Sequence, residues 1–269
     1  MKTLKFWVLL CLSLCASVAF ARKGYEEQKI NVPAFDELDI CGTYMATLEK
    51  SDRYEMVLEV PEQLMTYART RIVNNKVMLS FDMDRMTRSE KQYLSEHRPY
   101  VRIKAPAFRK LDISGATSME LKGNFNLGDA ELEMSGASNF NAGALKAKNF
   151  EMEISGASHI KVHELIADEL DLDISGATHC NLSAVEAKKL KVDLSGASHL
   201  ELKAFAKYAD VDVSGMSHCD WEPLNDKVGE RLEVEVSGMS KMNAGKIRYR
   251  KISKDVSGMS KLKIGNEIR

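Results

Sequence analysis

Cysteine is scarce in this 269-residue chain: five in all, at positions 11, 15, 41, 180 and 219. Only Cys41, Cys180 and Cys219 lie beyond the first twenty-one residues, an odd and sparse set that excludes a disulfide framework and leaves the fold to be held by its core. Excess charge is missing too. Without Lys2 and Lys5 the chain carries 36 basic against 39 acidic side chains, a net charge of −3, which gives no polybasic signal for nucleic acid or a membrane surface. Long apolar runs are absent apart from the start, MKTLKFWVLLCLSLCASVAFA. Its two lysines, apolar stretch and Ala19-x-Ala21 ending predict a secretory signal peptide over 1–21, cleaved after Ala21. Cys15 raises a lipoprotein anchor as the alternative, but Leu14 stands where such a signal wants a small residue. No later run is long enough to span a bilayer.

What the chain has is a repeat. SGAT or SGAS stands at 114, 135, 155, 175 and 195, and SGMS at 214, 237 and 257, so that the motif glycines are Gly115, Gly136, Gly156, Gly176, Gly196, Gly215, Gly238 and Gly258. A period of about twenty residues is the signature of a solenoid. Apolar residues fall two and four places before each glycine and four after, with Lys254 breaking the row, and polar residues alternate with them at period two. That is strand periodicity. Leucine-rich repeats need a helical half and an asparagine ladder, neither of which is visible, and a propeller blade needs roughly 40 residues. The reading is all-β: a single-stranded parallel β-helix with coils of about 20 residues. Within the alternation the glycine and the Ser or Thr two places later are expected to point inward at a coil corner, glycine for its backbone freedom and the hydroxyls to hydrogen-bond along the stack. No helix follows the motif, as a phosphate-cradling loop would require.

The stretch before the first clear copy reads as the start of the same object, giving one continuous domain over about 31–269, with strand-rich coils over 22–110 and regular repeats over 111–269. Leu38, Ile40 and Gly42 keep the register of the later copies, with Asp39 in an acidic slot. YEMVLEVPEQL and NNKVMLSFDM read as strands with a turn at Asn74–Asn75, residues 84–99 as a charged loop or short surface helix, and 220–230 as an insertion loop.

Taken in order, F-x-x-L-x-I-x-G at 35–42, VNNKVMLSF, VRIKAPAFRKLDISGATSMEL and the serial SGAS copies resemble the bacterial family described as putative auto-transporter adhesin, head GIN domain, frequent in Bacteroidetes. The resemblance covers most of the chain after residue 21. It implies a right-handed β-helix and an exported location, and it supplies no catalytic residues or cofactor. The change from Ala to Met in the last three copies departs from its pattern.

Two outward rows could carry chemistry. Three places before each glycine stands an acid: Asp112, Glu133, Glu153, Asp173, Asp193, Asp212, Glu235 and Asp255. Rungs about 4.8 Å apart would set these charges in mutual repulsion of about 0.9 kcal/mol per pair in bulk water, offset by lysines such as Lys110 and Lys191, by cations or by a basic partner. They lack the clustered spacing of a calcium loop. Three places after the glycine stand Ser118, Asn139, His159, His179, His199, His218, Lys241 and Lys261, so that four imidazoles stack on one face. They could pack on one another, meet a partner, or bind a transition metal. Cys180 and Cys219 take equivalent inward slots two coils apart, beyond disulfide reach. The last copy has no visible cap, so its coil end is a candidate for stacking on a second subunit, with a short turn from GNEIR as the alternative.

These features favour an exported, non-enzymatic binding or adhesion protein, with a glycan or protein partner at the cell envelope, no nucleic acid, and no catalytic, metal or cofactor residues assigned. The compartment is periplasm, outer-membrane surface or medium. The alternatives are a β-helix enzyme acting on polysaccharide, with a site confined to the irregular loops, and a structural periplasmic protein with no ligand.

Overall fold

The computed structural model describes residues 22–265 together with 267 and 268; the expected leader, with Cys15, lies outside them. Parallel pairing dominates. The strands Asn139–Ile154, His159–Ile174, His179–Leu194 and His199–Val213 lie side by side, each residue against its equivalent one repeat later. They belong to a parallel β-solenoid of about 8 turns with coils of ~20 residues.

The sequence bends each coil where two or more neighbouring side chains face out. In the coil over 155–174 these places are Ser155–Ala157, His163–Glu164 and Asp168–Glu169. Between them strict alternation returns, and three short faces surround a core of Ile160, Val162, Leu165, Ala167, Leu170, Leu172 and Ile174, none more than 5% exposed. Burying one such Leu or Ile is worth about 1.5–3 kcal/mol. The stack is therefore held by many equivalent apolar layers, with the three cysteines Cys41, Cys180 and Cys219 unpaired.

The early register agrees with expectation: Leu38 pairs with Leu111, Asp39 with Asp112 and Gly42 with Gly115. The rest of residues 22–110 is more elaborate than a run of coils. Lys76–Phe81 pairs with the opposite edge of Glu37–Gly42, and Tyr100–Ala105 with that of Met45–Lys50, so the second rung in sequence lies below the first. Antiparallel strands flank them. Tyr25–Ile30 pairs with Glu55–Pro61, which pairs with Tyr100–Ala105, while Ala68–Val73 folds back on Lys76–Phe81 through Asn74, at φ 54°. Within 84–99 the chain forms the helix Arg88–Glu96, whose N-cap Thr87 and Glu90 make a reciprocal capping box. Leu64, Met86 and Leu94 join the common core there and close the N-terminal end. The insertion expected at 220–230 is shorter as a loop, 224–228, because Asp220–Pro223 continue the strand His218–Pro223 and Gly229 opens the strand Gly229–Val236; Trp221 anchors it, its Nε1 donating to the Ala204 carbonyl at 3.2 Å.

The C-terminal rung, Tyr249–Val256 and Lys261–Ile264, is open by contrast. Val256 occupies an inward slot yet is 45% exposed, and Lys254 replaces the valine expected in the inward row beside Val234. An inward charge on an edge strand discourages another strand from adding there. Gly265 and Ile268 donate to the carbonyls of Ala244 and Tyr249, both at 2.9 Å, and so follow the rung below.

Candidate functional site

The SGA[ST] turn builds the corner from which both candidate faces hang. All eight motif glycines adopt positive φ, from 69° to 88°. They do not point inward, as simple alternation suggests; each sits at an exposed turn, stacked on the glycine of the preceding rung. A Cβ on Gly176 would lie 2.3 Å from the Gly156 carbonyl oxygen. The following Ser or Thr does point inward: Thr117, Ser138, Ser158, Thr178, Ser198, Ser217 and Ser240 are buried. Their hydroxyls donate within their own turn, as Thr178 does to Ser175 O at 3.0 Å, or to the rung below, as Ser198 does to Gly176 O at 3.3 Å. The corner is thus a self-satisfied column of backbone and hydroxyl groups, with a structural role.

On one side of it runs the acidic ladder. Asp112, Glu133, Glu153, Asp173, Asp193, Asp212, Glu235 and Asp255 are cross-rung partners in unbroken sequence, and Asp39 extends the row downward. A second acidic column, five places before the glycines, escapes a reading restricted to the first: Glu131, Glu151, Asp171, Asp210 and Glu233 share that face with Lys110 and Lys191. Lysines offset the repulsion locally. Lys76 pairs with Asp39 at 2.9 Å, Lys110 with Glu131 at 2.8 Å and with Glu133, and Lys191 with Asp193 at 2.5 Å. Among the described residues Glu153, Asp173, Asp212, Glu235 and Asp255 have no basic partner. Burial and then neighbouring carboxylates accordingly raise the pKa of Asp112 (Asp39, Glu133), Glu153 (Glu151, Glu133, Asp173) and Asp212 (Asp193, Asp210) above the ordinary carboxylate range. Glu133 is lowered by its hydrogen bonds with Glu131 and Lys110. Beside the second column a groove of about 630 Å³ crosses several rungs, walled by Glu151, Asp171, Lys191, Asp210 and Tyr208. Its floor includes Phe150, Leu170 and Leu190, each 2% exposed, while Tyr208, 43% exposed, presents an aromatic ring on its wall.

The other side carries the imidazoles. His159, His179, His199 and His218 fall on consecutive rungs in register, with ring centroids 6.2, 5.0 and 5.0 Å apart, the last pair stacked at 21°. The residues two places on interleave carboxylates and amides with them, a feature the histidine spacing alone did not reveal; reading five places after each glycine would have found it. His218 Nε2 lies 2.9 Å from Asp220, and His199 Nε2 lies 3.8 Å from both Glu201 and Asp220. Asn181 donates to Glu201, and Asn243 to Asp220 at 3.2 Å. The His199 Nε2 atom is buried between its neighbours without a hydrogen bond. Among the described residues no group of three or more His, Cys, Asp and Glu is placed to hold a metal ion. The face is instead a flat strip of aromatic rings edged by hydrogen-bonding groups. Cys180 and Cys219 both pair with Leu200, one from each side, which places them two coils apart, and burial pushes both thiols up to about 12. No helix of the described chain is long and apolar enough to cross a membrane.

The family model "Putative auto-transporter adhesin, head GIN domain" matches residues 34–221. Among solved structures, a putative adhesin from Parabacteroides merdae superposes with a TM-score of 0.72 at 14% identity, covering 90% of this chain and 98% of that one. A putative adhesin from Parabacteroides distasonis gives 0.69 at 16% identity, covering 92% and 96%. A third, described as a putative lipid binding protein from the same species, gives 0.72 at 14% identity, covering 90% and 98%. At such identities the likeness is one of fold. No curated protein matches the chain.

Proposed function

Because this chain belongs to the family described as "Putative auto-transporter adhesin, head GIN domain", we propose that it is an exported, non-enzymatic binding protein. It presents its outward ladders to a glycan or protein partner at the cell envelope. The observation that carries this reading is the histidine strip, with four imidazoles in register at ring spacings of 5.0 to 6.2 Å. Such a strip repeats one contact at every rung, which suits a partner that is itself extended and repetitive. The imidazole edges along the strip offer C–H and N–H groups to a sugar, while Asn181, Glu201 and Asp220 offer acceptors and donors to its hydroxyls. A catalytic centre instead needs one rung to differ from the others at a point of converging groups, and on this face equivalent positions recur with small variations.

The test has two arms. Brief protease shaving or antibody labelling of intact cells, with a periplasmic protein as control, reports whether the ladders face outward. A glycan array probed with the native chain and with the His179→Ala/His199→Ala pair reports whether the strip binds. Labelling of intact cells, together with a glycan signal that drops at least tenfold in the double variant, is expected. Protection of the chain until the outer membrane is opened would sink the adhesin reading, and a glycan signal indifferent to the two histidines would remove the strip from it.

A further inference from the structure

The last three copies of the motif break the pattern of the first five, and the break is on the outside. Where the earlier corners carry Ala116, Ala137, Ala157, Ala177 and Ala197, the later ones carry Met216, Met239 and Met259, which are 61, 55 and 73% exposed. Their backbone N–H groups each donate at 2.8 Å to the glycine carbonyl of the rung below, Gly196, Gly215 and Gly238, so the three side chains form one ridge on successive rungs. This ridge lies on the outer corner, where no further coil would cover it. Val256 is exposed three residues before Met259.

Charge is segregated to the same end. Residues 240–269 hold nine basic and two acidic side chains, +7, against 27 basic and 37 acidic over 22–239, −10. Lys241, Lys251, Lys254, Lys261 and Lys263 are all exposed and make no ion pair among the described residues, while Lys246, Arg248 and Arg250 pair with Glu222, Asp226 and Glu230. Lys241 and Lys261 stand two residues after Met239 and Met259, on the same edge.

We propose that this methionine ridge and its free lysines form a docking surface for an anionic bilayer. Exposed apolar side chains beside unpaired cations fit a lipid interface, where apolar groups sink about 5–10 Å and cations meet acidic headgroups. Three rungs at about 4.8 Å spacing give a ridge about 10 Å long. Methionine, flexible and polarizable, accommodates a disordered apolar medium. A second copy of the chain fits less well. Ridge-to-ridge contact would bring like-charged lysines together. The ridge meets the top of the histidine strip at one rung, where His218 follows Met216, and does not depend on what the strip binds.

Flotation with lipid vesicles tests it. The whole chain is mixed with vesicles of phosphatidylcholine containing phosphatidylglycerol, and with pure phosphatidylcholine, at low and high salt. Expected is partition to the anionic vesicles only, falling with salt, and falling roughly fivefold for each of Lys241→Ala and Lys261→Ala. The triple change Met216→Ala, Met239→Ala, Met259→Ala should lower it roughly tenfold or more. Alanine already fills this slot in five rungs, so the triple variant should fold, and an unchanged circular dichroism spectrum verifies that. Equal partition to both vesicles, no partition to either, indifference to the methionines, or a ridge-dependent dimer formed without lipid would each overturn the proposal.

Discussion

Gly176→Ala puts the corner to a direct test. The residue sits at φ +83°, and an added Cβ would lie 2.3 Å from Gly156 O and 2.7 Å from Gly156 N, both backbone atoms of the rung below. A left-handed backbone angle costs an alanine about 1–2 kcal/mol. The clash cannot be relieved by turning a side chain, so the two rungs must part locally. That loosens the bonds from Ala177 N to Gly156 O and from Ala197 N to Gly176 O, 2.8 and 2.7 Å long, each worth about 1 kcal/mol net. Restricting the unfolded chain returns about 0.5 kcal/mol. A net loss of about 3 kcal/mol follows, measurable by guanidinium unfolding followed by far-ultraviolet circular dichroism. Gly128→Ala is the control, since nothing lies within 4 Å of its added Cβ and its φ is not positive; it should stay within about 0.5 kcal/mol of the native chain. Gly258→Ala has the same strain at φ +69° but only one neighbouring rung in the described stack, and should lose about 1–2 kcal/mol. A loss below about 1 kcal/mol at Gly176, or an equal loss at Gly128, would refute the stacked-corner argument.

The acidic ladder, the thiols and the C-terminal packing supply further expectations. Asp212→Asn removes a carboxylate flanked by Asp193 and Glu235 and should stabilise the chain by about 0.5–1 kcal/mol at neutral pH, a gain that shrinks in high salt when melting is repeated there. Because Asp112, Glu153 and Asp212 have folded pKa values above their unfolded ones, the folded chain binds those protons more tightly. Their stabilising contribution is present in acid and lost as pH rises through the folded values. Glu133, lowered, contributes in the opposite sense and is lost as pH falls through its folded value. Thermal melting should therefore improve on mild acidification from neutrality and decline below the ordinary carboxylate range; a monotonic fall from pH 7 would contradict the ladder reading. Of the three cysteines among the described residues, titration with a thiol reagent should find Cys41 alone reactive in the folded state, with Cys180 and Cys219 appearing only on unfolding. Tyr249→Phe removes the buried hydroxyl that donates to Ala206 O at 2.8 Å and should lower stability by about 1–2 kcal/mol in the same unfolding assay.

Legibility followed the physics of each feature. Alternation reports which side chains face the core, and a constant period reports which residues stack, so the ladders and the pairing of Asp39 with Asp112 could be read before any coordinates. Alternation carries no information about which edge of a strand the next one joins. Nothing in NNKVMLSF says that Lys76–Phe81 lies below Glu37–Gly42, and the antiparallel strands over 22–105 were missed for the same reason. The motif glycine was placed inward because period two was carried through a turn, where a positive φ resets the phase. The partners of the imidazoles, Glu201 and Asp220, were invisible to a reading that followed one row at a time.

Net charge misled in a comparable way: a sum of −3 excluded a cationic surface, yet it is composed of a −10 body and a +7 end. In a repeat whose corners and layers are set by packing, a residue that obeys the pattern carries little functional information, because structure alone accounts for it. Selection for a partner is legible only where a rung departs from its neighbours without a packing reason. Met216, Met239 and Met259 fill no cavity that alanine leaves, and Lys254 gives up an apolar layer for a charge at the open rung. Both departures lie at the cationic end of the solenoid. The four histidines are a departure of the same kind, filling outward slots that hold Ser118, Asn139, Lys241 and Lys261 on other rungs, so interaction chemistry stands apart from the repeat at two places, the strip in the body and the cationic end.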